Sequence, residues 1–203
     1  MHISFILKRL FLVVLCAASV GLGILILFSD VIWFHDFVRE TSLTEIVQEI
    51  ILLILCGLFF GHAIKVKTLR YSSVLVGGFF TCMLIREMDF AFDEIFHGAW
   101  LWFALFTAVA CLLIAARQKE KALAGLAAFM RHPAYGMMLS GLLCVLVFSR
   151  LFGMHELWQG LMLDGYNRLV KNMVEEGTEM FGYIICLQAG VWYMCHQPQR
   201  KQR

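Results

Sequence analysis

The sequence predicts an all-α fold, a polytopic membrane helix bundle of about six transmembrane helices with both termini cytoplasmic. Three observations predict it. Of 203 residues, 61% are hydrophobic, against about 45–50% apolar in soluble domains. The excess falls in long runs, each near the roughly 20 residues that cross a hydrocarbon core. Lysine and arginine gather in short clusters between those runs, the pattern that sets orientation in a bilayer.

The first run, Leu10–Phe28, follows Lys8 and Arg9 and so imitates a secretory signal. It is longer than a signal's apolar region, and Leu15 precedes Cys16 where a lipoprotein signal has a small residue. A retained first helix is expected. The next spans are expected over Glu45–Ile64, Tyr71–Phe92, Gly98–Ala116, Tyr135–Gly153 and Met173–Cys195, within a single integral membrane domain covering residues 1–203. His155–Lys171 places Leu157, Trp158, Leu161, Met162, Tyr166, Leu169 and Val170 along one stripe, the signature of a helix lying on the membrane. Arg117–His132 is a shorter basic version, readable equally as a solvated loop helix.

With six spans, every basic cluster lies on one side: Lys8/Arg9, Lys65/Lys67/Arg70, Arg117/Lys119/Lys121/Arg131 and Arg200/Lys201/Arg203. A miscounted span would break that agreement. The implied location is a bacterial inner membrane. Asp30, His35, Asp36, Arg39 and Glu40 fall on the outer side, as do Asp93, Glu94 and His97. The Arg150–Lys171 connection is also outer, and its positive charges interrupt the pattern. Trp33, Trp100, Trp102 and Trp158 suit an outer aromatic belt and Trp192 an inner one.

Several classes are excluded or unsupported. The net charge of +2 is small and its positive residues mark topology, which argues against nucleic acid as a partner. Seven cysteines are spread through the apolar runs without a CxxC pair, so they read as small apolar residues. No G-x-S-x-G, HExxH or P-loop motif occurs, and the halves show no inverted repeat.

The candidate chemistry lies on three helices. Glu45, Gln48 and Glu49 share a face of the second, because residues three and four apart are helical neighbours. Arg86, Asp89 and Asp93 form a stripe on the third, continued by His97, with Glu87 expected to point elsewhere. Glu175 and Glu179 align on the sixth, with Thr178 and Tyr183 nearby and Glu176 offset. The six-span topology puts all three stretches in the outer third of the bilayer. A charge at a helix centre costs roughly 2.5–3.5 kcal/mol on insertion scales, so these acids are expected to face one another across a polar cavity. Capping of helix starts is the simpler alternative for Glu45 and Glu175. An ordinary wet loop is the alternative for Asp93 and His97, and a structural ion pair is the alternative for Arg86 with Asp89.

Glu49, Arg86, Asp89 and Glu179 are the catalytic candidates. Glu45, Asp93, His97 and Glu175 are the metal-ligand candidates. Carboxylates with histidine suit zinc or manganese, and carboxylates alone suit magnesium or calcium. The strings R-E-x-D-x-x-x-D (Arg86–Asp93) and E-E-x-x-E (Glu175–Glu179), with the acidic start Thr41–Glu49, resemble motifs of small bacterial polytopic inner-membrane proteins. That resemblance implies a membrane bundle and no particular activity. The leading expectation is a metal-dependent enzyme acting on a lipid-like or envelope substrate, a hydrolase or transferase, with membrane lipids as partners. The alternatives are a cation- or proton-coupled transporter and a non-catalytic assembly protein. The oligomeric state is not specified by the sequence.

Overall fold

The computed structural model describes residues 2–34 and 42–196, with the side chains of residues 33 and 34 outside that set. The expectations for Trp33, His35, Asp36, Arg39, Glu40, Arg200, Lys201 and Arg203 therefore lie outside the described residues. Every element among the described residues is helical.

Helix α1 spans His2–Ser29 and ends in a π-helical turn, Asp30–Phe34. Helix α2, Leu43–Lys65, opens with a capping box: Ser42 Oγ accepts from the Glu45 amide, and the Glu45 carboxylate accepts from the Ser42 amide. Its start is fixed a second time from α1. Asp30, 6% exposed, accepts from the amides of Leu43 (3.0 Å) and Thr44 (2.8 Å) and from the Thr44 hydroxyl (2.5 Å). Anionic oxygens on first-turn amides satisfy donors that the helix itself leaves open.

Helix α3 covers Arg70–Glu87 and breaks at Met88 (φ −87°, ψ 25°) into the single turn α4, Asp89–Asp93. The expected third span therefore stops short of Phe92. Gly98, in the left-handed region at φ 79°, starts α5, Ala99–Ala116. Helix α6, Lys119–Arg131, follows, and Pro133 introduces α7, Ala134–Leu143. A π-helical stretch, Cys144–Phe148, carries α7 into α8, Ser149–Phe152, as one rod. The expected interfacial helix is shorter than its pattern: α9 covers His155–Met162, and one 3₁₀ turn follows. Asn167 caps α10, Arg168–Cys195, whose side-chain oxygen accepts from the Leu169 amide. The last helix thus begins several residues before the expected Met173.

Helices α2 and α10 form the centre. Helix α2 packs on α3 and α10, α10 also packs on α7 and α1, and α3 also packs on α5 and α6. Leu52, Leu55, Phe59, Phe80, Tyr183, Cys186 and Ala189 are almost fully buried between them. Small residues let the backbones approach. A β-carbon on Gly182 would sit 2.9 Å from the Gly141 carbonyl oxygen of α7 and 2.5 Å from a Val145 methyl. In lipid, where apolar attraction between helices is weak, such close packing holds bundles together.

Four helical segments are long and apolar enough to cross a membrane: His2–Ile32, Leu43–Lys65, Ala99–Ala116 and Ala134–Phe152. Helices α3 and α10, 18 and 28 residues long, pack among them but carry the bundle's charges. Phe106 and Ile64 are each 75% exposed, and α1 is lined with exposed leucine, valine and phenylalanine. So much contiguous apolar surface would drive aggregation in water and is what an integral membrane protein presents to lipid.

Replacing Gly182 with leucine should lower stability by about 1–3 kcal/mol through overpacking, seen as a lower Tm in detergent. Gly57→Leu, where a β-carbon meets nothing within 4 Å, should leave Tm nearly unchanged.

Candidate functional site

At the end of the bundle where α2 and α10 begin and α3 ends, a cavity of about 240 Å³ opens. Its wall is built from the three acidic stretches and one further helix. Helix α2 contributes Glu45, Gln48 and Glu49; α3 and α4 contribute Arg86, Glu87 and Asp89; α8 contributes Arg150; α10 contributes Asn172, Glu175, Glu176 and Glu179. Three helices that reach this level from distant parts of the chain therefore do share one polar space.

The cavity is organised by two guanidinium groups. Arg150 bridges α8 to α10: Nη1 donates to Glu175 at 3.3 Å, and Nη2 donates to Glu179. Glu179, 5% exposed, also accepts from Ser149 Oγ at 3.2 Å, and that hydroxyl is shared with the Val145 carbonyl. Lys171 holds the other Glu175 oxygen at 2.8 Å, one turn along α10. From α3, Arg86 Nη1 donates to Glu87 at 2.6 Å. The same Glu87 oxygen accepts from the hydroxyl of the fully buried Tyr183 at 2.6 Å, tying α3 to α10.

These contacts correct two sequence expectations. Glu87 does not point elsewhere: it lines the cavity and is the partner of Arg86. Asp89 is not in an ion pair with Arg86; it is an exposed residue on the cavity wall. The physical reason is the break at Met88. A stripe through Arg86, Asp89 and Asp93 assumes an unbroken 3.6-residue period, and the chain turns before Asp89 is reached. Arg150, which interrupted the expected charge pattern, is placed against the buried Glu179 and the half-buried Glu175.

Of the other candidates, Glu45 both caps α2 and lines the cavity, and Glu49 and Glu175 line it. Asp93 and His97 are not brought to it. Asp93 accepts from the Gly98 amide at 2.8 Å and pairs with His97 Nδ1 at 3.1 Å, and the His97 side chain is fully exposed. They form the turn that starts α5, with no other metal-ligand candidate beside them. Among the described residues no group of three or more His, Cys, Asp or Glu side chains is placed to hold a metal ion.

Sequence reasoning undervalued Glu87, Arg150 and Glu176 and took Asp30 for an ordinary outer residue. One signal was available: Arg150 is an arginine at the end of an apolar run, where an isolated charge needs a partner.

Charge balance defines what the cavity can do. Seven carboxyl groups line it against two guanidiniums, with the Lys171 ammonium paired to Glu175. Glu49, Asp89 and Glu176 have no hydrogen-bond donor or cation paired with them among the described residues. Beneath the cavity Leu52, Leu55, Phe80 and Met83 close the bundle with apolar packing.

The bundle and this cavity define a class, an all-α protein with the apolar helices of an integral membrane protein and an acid-rich cavity at one end. No known protein family, curated protein or solved structure matches the chain.

Removing one member of a buried ion pair costs about 3–5 kcal/mol, because the other charge is left uncompensated. Arg150 is 39% exposed, so Arg150→Met should cost less than that range. The double variant Arg150→Met/Glu179→Met should recover part of the loss. A non-additive double-mutant cycle from denaturation in detergent checks the pairing.

Proposed function

We propose that the protein is a six-span inner-membrane protein, both termini cytoplasmic, that binds a positively charged group in an acidic cavity open toward the outer face. The carboxylate excess around one cavity carries this reading. Acids facing lipid are costly, and acids facing one another repel. A cation relieves both penalties at once.

The topology rests on charge. All described basic clusters, Lys8/Arg9, Lys65/Lys67/Arg70 and Arg117/Lys119/Lys121/Arg131, fall on one side if α3 and α10 also cross. The cavity then lies on the other side. Helix α9, with Trp158 donating to the Phe152 carbonyl at 2.6 Å, lies beside the arginine-bearing end of α8. That placement suits access from the membrane surface and supports a lipid-like substrate.

Within this reading the side chains divide by role. Glu179 and Glu87 are fixed by arginine, serine and tyrosine, so they hold the walls. Glu49, Asp89 and Glu176 are the carboxylates available to a ligand, as cation contacts or as a general base toward a bound substrate. Divalent metals remain candidates, since carboxylates and the Gln48 and Asn172 amides are the hard oxygen donors that magnesium and calcium take. The apolar packing beneath the cavity favours recognition at one face over a conducting path, which would need polar groups continuing inward.

Calorimetric titration of the purified protein at constant ionic strength tests the reading, using magnesium, calcium, manganese, zinc and ethylammonium chlorides in turn. At least one should bind with 1:1 stoichiometry, and Glu49→Gln/Glu176→Gln should weaken it about tenfold, the equivalent of 1.4 kcal/mol. If no cation binds, or the variant binds all of them equally well, the reading fails.

A further inference from the structure

We infer that the groove between α3, α6 and α7 holds an acyl chain of a phospholipid whose anionic head group sits against the basic residues of α6. The groove lies apart from the acidic cavity, and the inference does not depend on what that cavity binds.

The groove has a volume of about 270 Å³. Leu75 and Phe79 of α3, Leu126 and Phe129 of α6, and Tyr135 and Leu139 of α7 line it. Among the described residues none that lines it is charged. Packed protein interiors leave few voids larger than a water molecule, and an apolar gap gives water too few polar partners to fill it. The groove is open at its mouth, where Phe79 is 41% and Leu139 40% exposed, while Phe129 is buried. In a chain whose surface suits lipid, an open apolar gap of this kind is filled by hydrocarbon.

Its depth fits one leaflet. Leu75 and Phe79 lie about 8 and 14 Å along α3 from its first residue, Arg70, at 1.5 Å per residue. Half of a hydrocarbon core about 30 Å thick spans the same distance. Helix α6 lies across the basic end of the groove, packed on both α3 and α7. Gly125 of α6 meets Ser72 in the first turn of α3 with no room for a β-carbon. Leu126 and Phe129 turn into the groove, and Leu123 and Met130, both 56% exposed, continue the apolar surface along α6. A helix with an apolar flank and basic residues elsewhere on its surface suits the membrane interface.

Charge decides the occupant. Lys119 and Lys121 at the start of α6 and Arg131 at its end are exposed, and Glu120 is the one acid on that helix. No acid pairs with these three basic residues among the described residues. A second copy docked at the groove would bring the same cluster against itself, and like charges at close range repel. A phospholipid with an anionic head group supplies a chain for the groove and negative charge for the cluster together. Basic pockets between membrane helices recognise such head groups. Tyr135, in the first turn of α7, packs its ring edge-on against Phe129 with centroids 5.6 Å apart, an amphipathic side chain where the groove meets the basic end.

The test is quenching of a single tryptophan by brominated acyl chains, on the full chain in vesicles of phosphatidylcholine and phosphatidylglycerol in equal amounts. One lipid at a time carries the bromine. Leu139→Trp reports on the groove, and Phe106→Trp, on the exposed face of α5, is the reference. Both are made with the native tryptophans replaced by phenylalanine. At Leu139→Trp, phosphatidylglycerol should bind about tenfold more tightly than phosphatidylcholine, within the reach of two or three basic contacts. At Phe106→Trp the two lipids should quench alike. Lys121→Gln/Arg131→Gln should abolish the preference in the groove while quenching persists, and Lys121→Arg/Arg131→Lys should keep it. Leu75→Trp is the second reporter if Leu139→Trp does not fold. Equal quenching by the two lipids in the groove overturns the inference, and so does the same preference at Phe106→Trp. Quenching by neither lipid also overturns it, and a dimer in detergent would then assign the groove to a second copy.

Discussion

Charge placed inside an apolar bundle has to be answered by other charge, by hydrogen bonds or by water, and that constraint shapes one whole end of this molecule. A carboxylate or guanidinium facing hydrocarbon costs kilocalories, so the acids of α2, α3 and α10 turn inward and toward each other. Once together they need cations, and Arg86 from α3 and Arg150 from α8 provide them. The pairs act as cross-braces. Arg150 joins α8 to α10, and Tyr183 with Glu87 joins α10 to α3. Asp30 joins α1 to the start of α2 by three hydrogen bonds. The polar end of the bundle is thus fixed by electrostatics, while its middle is fixed by close packing around Gly141 and Gly182.

The bracing leaves a residue of uncompensated acid, and this gives the cavity its character. Stability alone would be served by fewer carboxylates or by apolar replacements, since buried ion pairs rarely outperform well-packed apolar groups. Glu49 and Glu176 add nothing to the cross-braces. Such groups strain local rules without an evident structural return, and departures of that kind concentrate at functional sites.

The helical fold and the convergence of the acids were legible because both follow from composition and helical period. Apolar runs near 20 residues define the rods, and the level of each charge follows from its place along a rod. The gathering of Glu49, Asp89 and Glu179 at one end of the bundle could be read this way; the pairing of Arg150 with Glu179 could not, since it joins helices through tertiary packing. The face of Glu87 was misjudged because a periodic stripe takes no account of the break at Met88, which has neither proline nor glycine to announce it. Asp93 and His97 sat beyond that break and became a turn. Asp30 was hidden for another reason. Its role depends on α1 ending beside the start of α2, a tertiary contact with no local signature.

The central claim is that acids from three helices share one aqueous cavity on the side of the membrane opposite the basic clusters. Accessibility of single cysteines to a membrane-impermeant maleimide tests it most directly, in a background with the native cysteines replaced. Cysteines at Glu45, Asp89 and Asn172 should react from outside in intact cells, and cysteines at Lys67 and Lys121 should react only after the membrane is opened. Labelling of Glu45, Asp89 and Asn172 from different sides, or protection of all three as if they faced lipid, would contradict the account.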